Sequence, residues 1–129
     1  MIRRQKVFRH IFRIHGLIES FKIASLGIYY LFVYHRNMRI IFLLGILSFL
    51  AGLYIELKGM ELVILCITIT LVFMAEIFNT AIEMLMNMLT TKYRARIKLV
   101  KDIAAAVVLL TALNSLAVGY ILFVKKIFG

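Results

Sequence analysis

Long apolar segments alternate with short polar stretches along most of the chain. Three of them, beginning at Ile40, Leu62 and Ile103, approach or exceed the roughly 20 residues that a helix needs to cross a bilayer. The first is the shortest, because it ends at Ile55. The pattern predicts an all-α membrane protein with a single domain over residues 1–129 and spanning helices at residues 40–57, 62–89 and 102–124.

Residues 1–39 follow a different pattern, in which basic side chains are mixed with aromatic and aliphatic ones. Phe8 and Phe12 recur beside Arg4 and Arg9 at loosely helical spacing. An apolar stripe flanked by cations is typical of a helix that lies in the membrane interface. We therefore predict an N-terminal amphipathic interfacial helix, and a solvated basic tail is the alternative.

Composition supports a membrane location and bears on the partners. Hydrophobic residues make up 64% of the chain, and 16 Lys and Arg against six Asp and Glu give a net charge of +10. The cations lie at the edges of apolar segments, where anionic lipid headgroups attract them. No base-reading module accompanies this charge, so nucleic acid is not an expected partner. Cys66 has no second cysteine with which to form a disulfide or a metal site.

The distribution of Lys and Arg predicts how the helices are oriented. Eight of these residues lie in the segment 1–39 and five in the linker 91–101, whereas the loop 56–61 holds one. By the positive-inside rule, the N-terminus and the linker are cytoplasmic. Lys125 and Lys126 argue mildly against this orientation, but the larger basic segments outweigh them.

A polar stripe interrupts the second apolar segment. At about 100° per residue, its members lie within about 60° of Glu76 on one helical face; they are Glu76, Asn79, Thr80, Glu83 and Asn87. A carboxylate at membrane depth is costly, so a functional site is the first hypothesis for the stripe. The alternative is a set of hydrogen bonds that holds helices together.

A second polar pair, Lys101 and Asp102, stands at the predicted start of the third spanning helix. Asp102 alone fits a helix cap, and Lys101 alone fits an ordinary cytoplasmic lysine. Together with Glu76 and Glu83 across a short linker, they provide hard oxygen ligands for a metal and a cation for phosphates. This combination suits a magnesium-bound polyphosphate, although the chain has no Gly-rich phosphate loop.

Several segments resemble the signatures of one family. AEIFNTAIEMLMN (75–87) is similar to a motif of Glu, two residues, Asn, Ser or Thr, Ala, an aliphatic residue, Glu, three residues and Asp. VKDIAAAVVL (100–109) resembles a second motif around a Lys-Asp pair, and SFKIASLGI (20–28) and RNMRI (36–40) resemble the family's interfacial segment. On these residues the chain is identified as a member of the small bacterial integral-membrane lipid kinases, the diacylglycerol kinase and undecaprenol kinase family.

The resemblance implies a homotrimer in the bacterial inner membrane, with active sites at subunit boundaries. It implies ATP-dependent phosphorylation of the primary hydroxyl of a membrane lipid at the cytoplasmic surface, with Mg²⁺ as the metal. Undecaprenol or another polyprenol is the first expected substrate, and diacylglycerol is the second. The implied roles are catalytic base for Glu76, substrate positioning for Asn79 and Thr80, metal ligand for Glu83, and nucleotide binding for Lys101, Asp102 and Asn87.

The chain departs from the family pattern at two positions of the expected site. His35 and Asn87 stand where the family usually has acids, and Lys92 stands where some relatives have one. Imidazole and amide groups are poorer magnesium ligands than carboxylates, so weaker metal binding is expected. His35 is assigned to the metal and nucleotide site, with an interfacial role as the alternative. A catalytically weakened or inactive member, acting as a membrane assembly module, is the alternative function.

Overall fold

The computed structural model describes the backbone of residues 2–89 and 94–129 and the side chains of residues 16–89 and 94–129. Its regular elements are all helical, which confirms the all-α class for this part of the chain. Lys92 and the basic and aromatic side chains that define the N-terminal stripe lie outside the described residues. The helices are α1 (Ile2–Tyr34), α2 (Arg36–Tyr54), α3 (Met60–Leu89), α4 (Ala95–Gly119), a π-helical segment (Tyr120–Val124) and α5 (Lys125–Phe128).

Four helical stretches of the described chain are long and apolar enough to cross a membrane. Three of them correspond to the predicted spans and begin a few residues earlier, at Arg36, Met60 and Ala95. The fourth is Gly16–Tyr34, the least apolar of the set. Its length and composition suit a crossing helix as well, so the interfacial placement of this region stays a prediction.

The chain divides into two compact units, residues 1–36 and 37–129. The first unit consists of α1 and the residues that follow it. At its end, the ring of Tyr30 lies 4.7 Å from that of Tyr34 and 6.1 Å from that of His35, between ring centroids. The backbone N–H of His35 donates to the carbonyl of Leu31 at 2.9 Å, so the helical hydrogen bonding of α1 reaches His35.

In the second unit, α3 and α4 pack against each other in antiparallel orientation. Lys126 lies on α5, which continues α4 through the π-helical segment, and it forms an ion pair of 3.8 Å with Glu61 at one end, which we call the Glu61 end. Lys101 and Asn87 are hydrogen-bonded at the other end, which we call the Asn87 end. Two contacts at opposite ends fix the direction of both helices, and they place the start of α4 beside the last turns of α3.

Two glycines of α2 lie against side chains of α3 and leave room for them. A Cβ added at Gly52 would lie 2.7 Å from Cδ2 of Leu65, and one added at Gly45 would lie 3.0 Å from Cγ2 of Ile69. Leu65 is 3% exposed and belongs, with Leu57, to the buried cluster at the Glu61 end. Small residues at such contacts are the usual means by which membrane helices gain van der Waals packing.

The turn between α2 and α3 ends α2 with an unusual residue in a common motif. The N–H of Leu57 donates to the carbonyl of Gly52 at 2.9 Å, and the N–H of Glu56 donates to that of Leu53 at 3.1 Å. This pair of hydrogen bonds is the Schellman motif, in which a left-handed residue, usually glycine, follows the helix. Here that residue is Glu56, with a φ of 65°.

Replacing Glu56 with Gly should therefore stabilise the protein. Glycine adopts the left-handed conformation without the steric cost of a Cβ, and its larger freedom in the unfolded chain offsets only part of this gain. We expect a gain of about 1 kcal/mol, which would raise the thermal midpoint in detergent by a few degrees. Lys58→Gly in the same turn is the control and should not raise the midpoint. A lower midpoint for Glu56→Gly would contradict the assigned backbone geometry.

Candidate functional site

Helix α3 keeps its hydroxyl groups internally satisfied over its apolar half. Thr68 donates to the carbonyl of Ile64 at 2.8 Å, and Thr70 donates to that of Cys66 at 2.9 Å. Such bonds to the preceding turn allow polar residues within a membrane helix without an unsatisfied group. The polar groups of this half of α3 therefore have structural roles, and the polar stripe begins at Glu76.

The inner part of the polar stripe is buried within the single chain. Glu76 is 7% exposed and Thr80 is 5% exposed. Small buried residues occur on both packed helices, Ala75 on α3 and Ala104 on α4, at 4% and 3% exposure. The carboxylate of Glu76 is thus shielded from solvent, where its electrostatic interactions are stronger than in water.

The outer part of the stripe is more open. Asn79 is half-buried, whereas Glu83 and Asn87 are exposed. At 1.5 Å per residue, Glu83 lies about 10 Å and Asn87 about 16 Å along the helix axis from Glu76. The stripe therefore runs from a buried carboxylate to an exposed carboxylate and then to an exposed amide.

Helix α4 brings a cation to the exposed end of this stripe. The ammonium Nζ of Lys101 donates to Oδ1 of Asn87 at 2.7 Å, a contact between residues 14 positions apart. This distance is short for an N–H···O bond and is typical of a charge-assisted one. The structure thus joins two of the predicted nucleotide residues directly.

The third predicted nucleotide residue, Asp102, has a different partner. Its Oδ2 accepts from Nζ of Lys98 at 2.8 Å, one helical turn away, and both side chains are more than half exposed, at 59% and 56%. Exposed pairs of this spacing contribute little stability. The interpretation of Asp102 as a helix cap is wrong, because α4 begins at Ala95, with Arg94 in the cap position.

Lys98 was not among the residues predicted for the site. The signal that could have found it is the spacing of four between Lys98 and Asp102, which places a cation and a carboxylate on one helical face. The early start of α4 makes this pairing possible, since the predicted boundary left Lys98 in the linker. Helix α4 thus includes Arg96, Lys98 and Lys101 of the basic segment.

The residues at the Asn87 end fit a magnesium ion that arrives bound to phosphate. No group of three or more His, Cys, Asp or Glu side chains able to hold a metal occurs within residues 16–89 and 94–129. Magnesium is usually held by one or two carboxylates together with substrate phosphates and waters, and it seldom occupies an all-protein cage. Glu83, one helical turn before Asn87, would supply one such carboxylate, because its side chain is exposed.

His35 belongs to the unit formed by residues 1–36, where its ring lies near that of Tyr30. It is half-buried. Among the predicted site residues, the structure joins Asn87 of α3 to Lys101 of α4. The assignment of His35 to the metal and nucleotide site stays a prediction.

The sequence was also compared with known proteins. The family model described as prokaryotic diacylglycerol kinase matches residues 22–123. The chain is 33% identical over 105 residues to a diacylglycerol kinase of Synechocystis sp., covering 81% of this chain and 60% of that protein. It is 29% identical over 114 residues to an undecaprenol kinase of Bacillus subtilis, covering 88% of this chain and 93% of that protein. The chain thus spans about three fifths of the Synechocystis protein and nearly all of the Bacillus protein.

Proposed function

Because the chain belongs to the prokaryotic diacylglycerol kinase family, we propose that it transfers the γ-phosphoryl group of ATP to a primary hydroxyl of a membrane lipid. The observation that supports this most strongly is the polar stripe of α3, with the buried Glu76 at one end and the Asn87–Lys101 contact at the other. A lipid hydroxyl belongs at membrane depth and a nucleotide belongs in water. The stripe connects these two environments on one helical face.

Glu76 is the proposed general base. Its carboxylate accepts the proton of the lipid hydroxyl while that oxygen forms a bond to the γ-phosphorus, and the bond from the γ-phosphorus to the bridging oxygen of ADP breaks. The proton leaves Glu76 for water after the phosphorylated lipid departs. Asn79 and Thr80, one helical turn after Glu76, position the hydroxyl. Positioned proton transfer of this kind contributes about 10² to 10⁴ in rate.

Lys101, Asp102 and Glu83 are the proposed contacts for Mg²⁺-ATP. The ammonium of Lys101 binds phosphate oxygens, and Asp102 and Asn87 complete the nucleotide site. Glu83 would hold the metal, which, when bound, offsets the charge of the transferred phosphoryl group. Lys101 contacts Asn87 at the exposed end of the stripe, and Glu76 is the buried end, so the phosphates of a bound nucleotide would extend along α3 from the exposed end toward the buried one.

The proposed orientation in the membrane follows from placing the nucleotide site at the Asn87 end. The Asn87 end, with the basic linker, faces the cytoplasm of a bacterial cell, and the N-terminus lies on that side at the inner membrane. Residues 1–39 lie in the interface and contact anionic headgroups. We propose a homotrimer in which neighbouring subunits complete each site, as the family resemblance implies; Glu83 is exposed in the single chain and so is open to such a neighbour.

The lipid presents a primary alcohol on a long apolar body. Undecaprenol or another polyprenol is the proposed substrate, and diacylglycerol is the second candidate. The segments NTAIE and SFKIASLG support this order, because they resemble the undecaprenol kinases of the family more. The Bacillus relative, matched over 93% of its length, is named for undecaprenol, and the Synechocystis relative is named for diacylglycerol. Burial of an apolar chain does not distinguish the two, so selectivity has to come from contacts near the hydroxyl.

The direct test uses purified protein in detergent micelles with γ-labelled ATP, Mg²⁺ or Mn²⁺, and each lipid in a separate reaction. We expect label in the lipid fraction with undecaprenol, and a lower kcat/KM with diacylglycerol. A control without lipid separates transfer from ATP hydrolysis. No transfer to either lipid from a folded protein would refute the kinase and favour a membrane assembly module.

A further inference from the structure

Lys98 and Lys101, both on α4, donate to side-chain oxygens that differ in charge. Lys98 pairs with the carboxylate of Asp102 at 2.8 Å, and Lys101 pairs with the amide oxygen of Asn87 at 2.7 Å. The distances are nearly equal, so the geometry of the two contacts is comparable. The difference is electrostatic: the carboxylate offsets the charge of Lys98, and the neutral amide leaves the charge of Lys101 intact.

The second contact also differs in what it connects. Lys98 and Asp102 lie on the same helix, one turn apart, whereas Asn87 and Lys101 join the last turns of α3 to α4. A lysine has a flexible four-carbon stem and a freely rotating ammonium. An acceptor on the neighbouring helix restricts that freedom before any ligand binds, which is the principle of preorganisation.

We propose that Asn87 is a positioning residue for Lys101, an uncharged clamp that orients the ammonium toward phosphate without neutralising it. This inference rests on the proposed function and adds to it a reason why an amide serves where the family pattern has a carboxylate. An acid at position 87 would form an ion pair with Lys101, and phosphate would then have to compete with it. Residue 87 therefore acts through Lys101 and is not a metal ligand.

The clamp makes a prediction about KM and kcat. Asn87→Leu removes the acceptor and should raise KM for ATP about tenfold, because a hydrogen bond to a charged group is lost, with kcat changed less than about twofold. Asn87→Asp should also raise KM for ATP, because it pairs with the ammonium. Asn87→Gln keeps a neutral acceptor, so its KM for ATP should stay within about threefold of the wild-type value.

The test is a double-mutant cycle with Lys101→Met, read out by steady-state kinetics and by binding of a fluorescent ATP analogue in the absence of lipid. If Asn87 acts through Lys101, Asn87→Leu should have almost no further effect on KM in the Lys101→Met protein. Lys125→Met, at the Glu61 end, is the matched control for loss of one lysine. Additive effects of Asn87→Leu and Lys101→Met would overturn the clamp.

A magnesium titration separates the clamp from direct metal binding by residue 87. Under the clamp, Asn87→Asp leaves the Mg²⁺ concentration for half-maximal rate unchanged or higher. A lower magnesium requirement in Asn87→Asp would show that residue 87 faces the metal and would overturn the proposal. Should Asn87→Leu fail to fold, Asn87→Asp and Asn87→Gln carry the test. Nucleotide binding that depends on Asn87, without transfer to any lipid, would refute the kinase and leave the clamp standing.

Discussion

Replacing Glu76 with Gln should reduce kcat by about 10² to 10⁴ while the protein still folds and binds ATP. Glutamine keeps the shape of the side chain and one acceptor oxygen, but it cannot take the proton of the lipid hydroxyl. Because Glu76 is 7% exposed, solvent cannot readily supply a substitute base at this depth. The measurement is label transfer from ATP to lipid under saturating substrates.

Glu61→Gln is the matched control for this experiment. Glu61 lies on the same helix as Glu76, in the first turn of α3 at the Glu61 end, where it pairs with Lys126 at 3.8 Å. The same chemical change there should leave kcat within about twofold and cost little stability, since exposed ion pairs contribute roughly 0 to 1 kcal/mol. Turnover at the wild-type rate in Glu76→Gln would refute the base assignment.

Much of the architecture is predictable because the membrane restricts the choices. In hydrocarbon every backbone group needs an internal partner, so long apolar segments become helices. The helices α2, α3 and α4 overlap the three apolar segments and begin two to seven residues before the predicted spans. The resemblance stated from residues 75–87 and 100–109 is confirmed by the family match over residues 22–123. Motifs built from polar residues in an apolar chain are specific, because such residues are costly within a membrane helix and therefore rare.

The errors at the helix boundaries have a common cause. Apolar content marks where lipid begins, not where the helix begins, so α4 starts at Ala95 and includes basic residues that the hydropathy pattern assigned to a linker. That extension creates the Lys98–Asp102 pair and removes Asp102 from the cap position. The left-handed Glu56 was equally inaccessible to sequence reasoning, since glycine is the residue that the motif normally signals.

The contact between Asn87 and Lys101 shows what periodicity can and cannot supply. Spacing on α3 predicts that Asn87 shares a face with Glu76 and Glu83, because all three belong to one helix. It does not predict the partner of Asn87, since that depends on how α4 packs and in which rotamer Lys101 lies. The departure from the family motif predicted altered chemistry at Asn87. The structure adds that its side chain accepts a hydrogen bond from Lys101.

Glu83→Gln should be the second most damaging substitution, with kcat/KM for Mg²⁺-ATP reduced by about 10² to 10³. A metal ion supplies several kcal/mol of stabilisation to phosphoryl transfer, and each 1.4 kcal/mol corresponds to a factor of ten. The chain offers few acids to replace Glu83, because His35 and Asn87 stand where the family pattern has them. An amide at position 83 retains size and polarity but lacks the charge that a hard cation prefers.

The cause of this loss can be distinguished from a general defect by titrating the metal. If Glu83 holds magnesium, raising the Mg²⁺ concentration should restore part of the activity of Glu83→Gln, whereas it should restore none in Glu76→Gln, whose missing group is a proton acceptor. The two glutamates lie on one helical face about 10 Å apart, so a difference in metal response cannot come from a different element of the fold. An identical magnesium dependence for wild type and Glu83→Gln would remove Glu83 from the metal site and leave the nucleotide held by Lys101 and its neighbours alone.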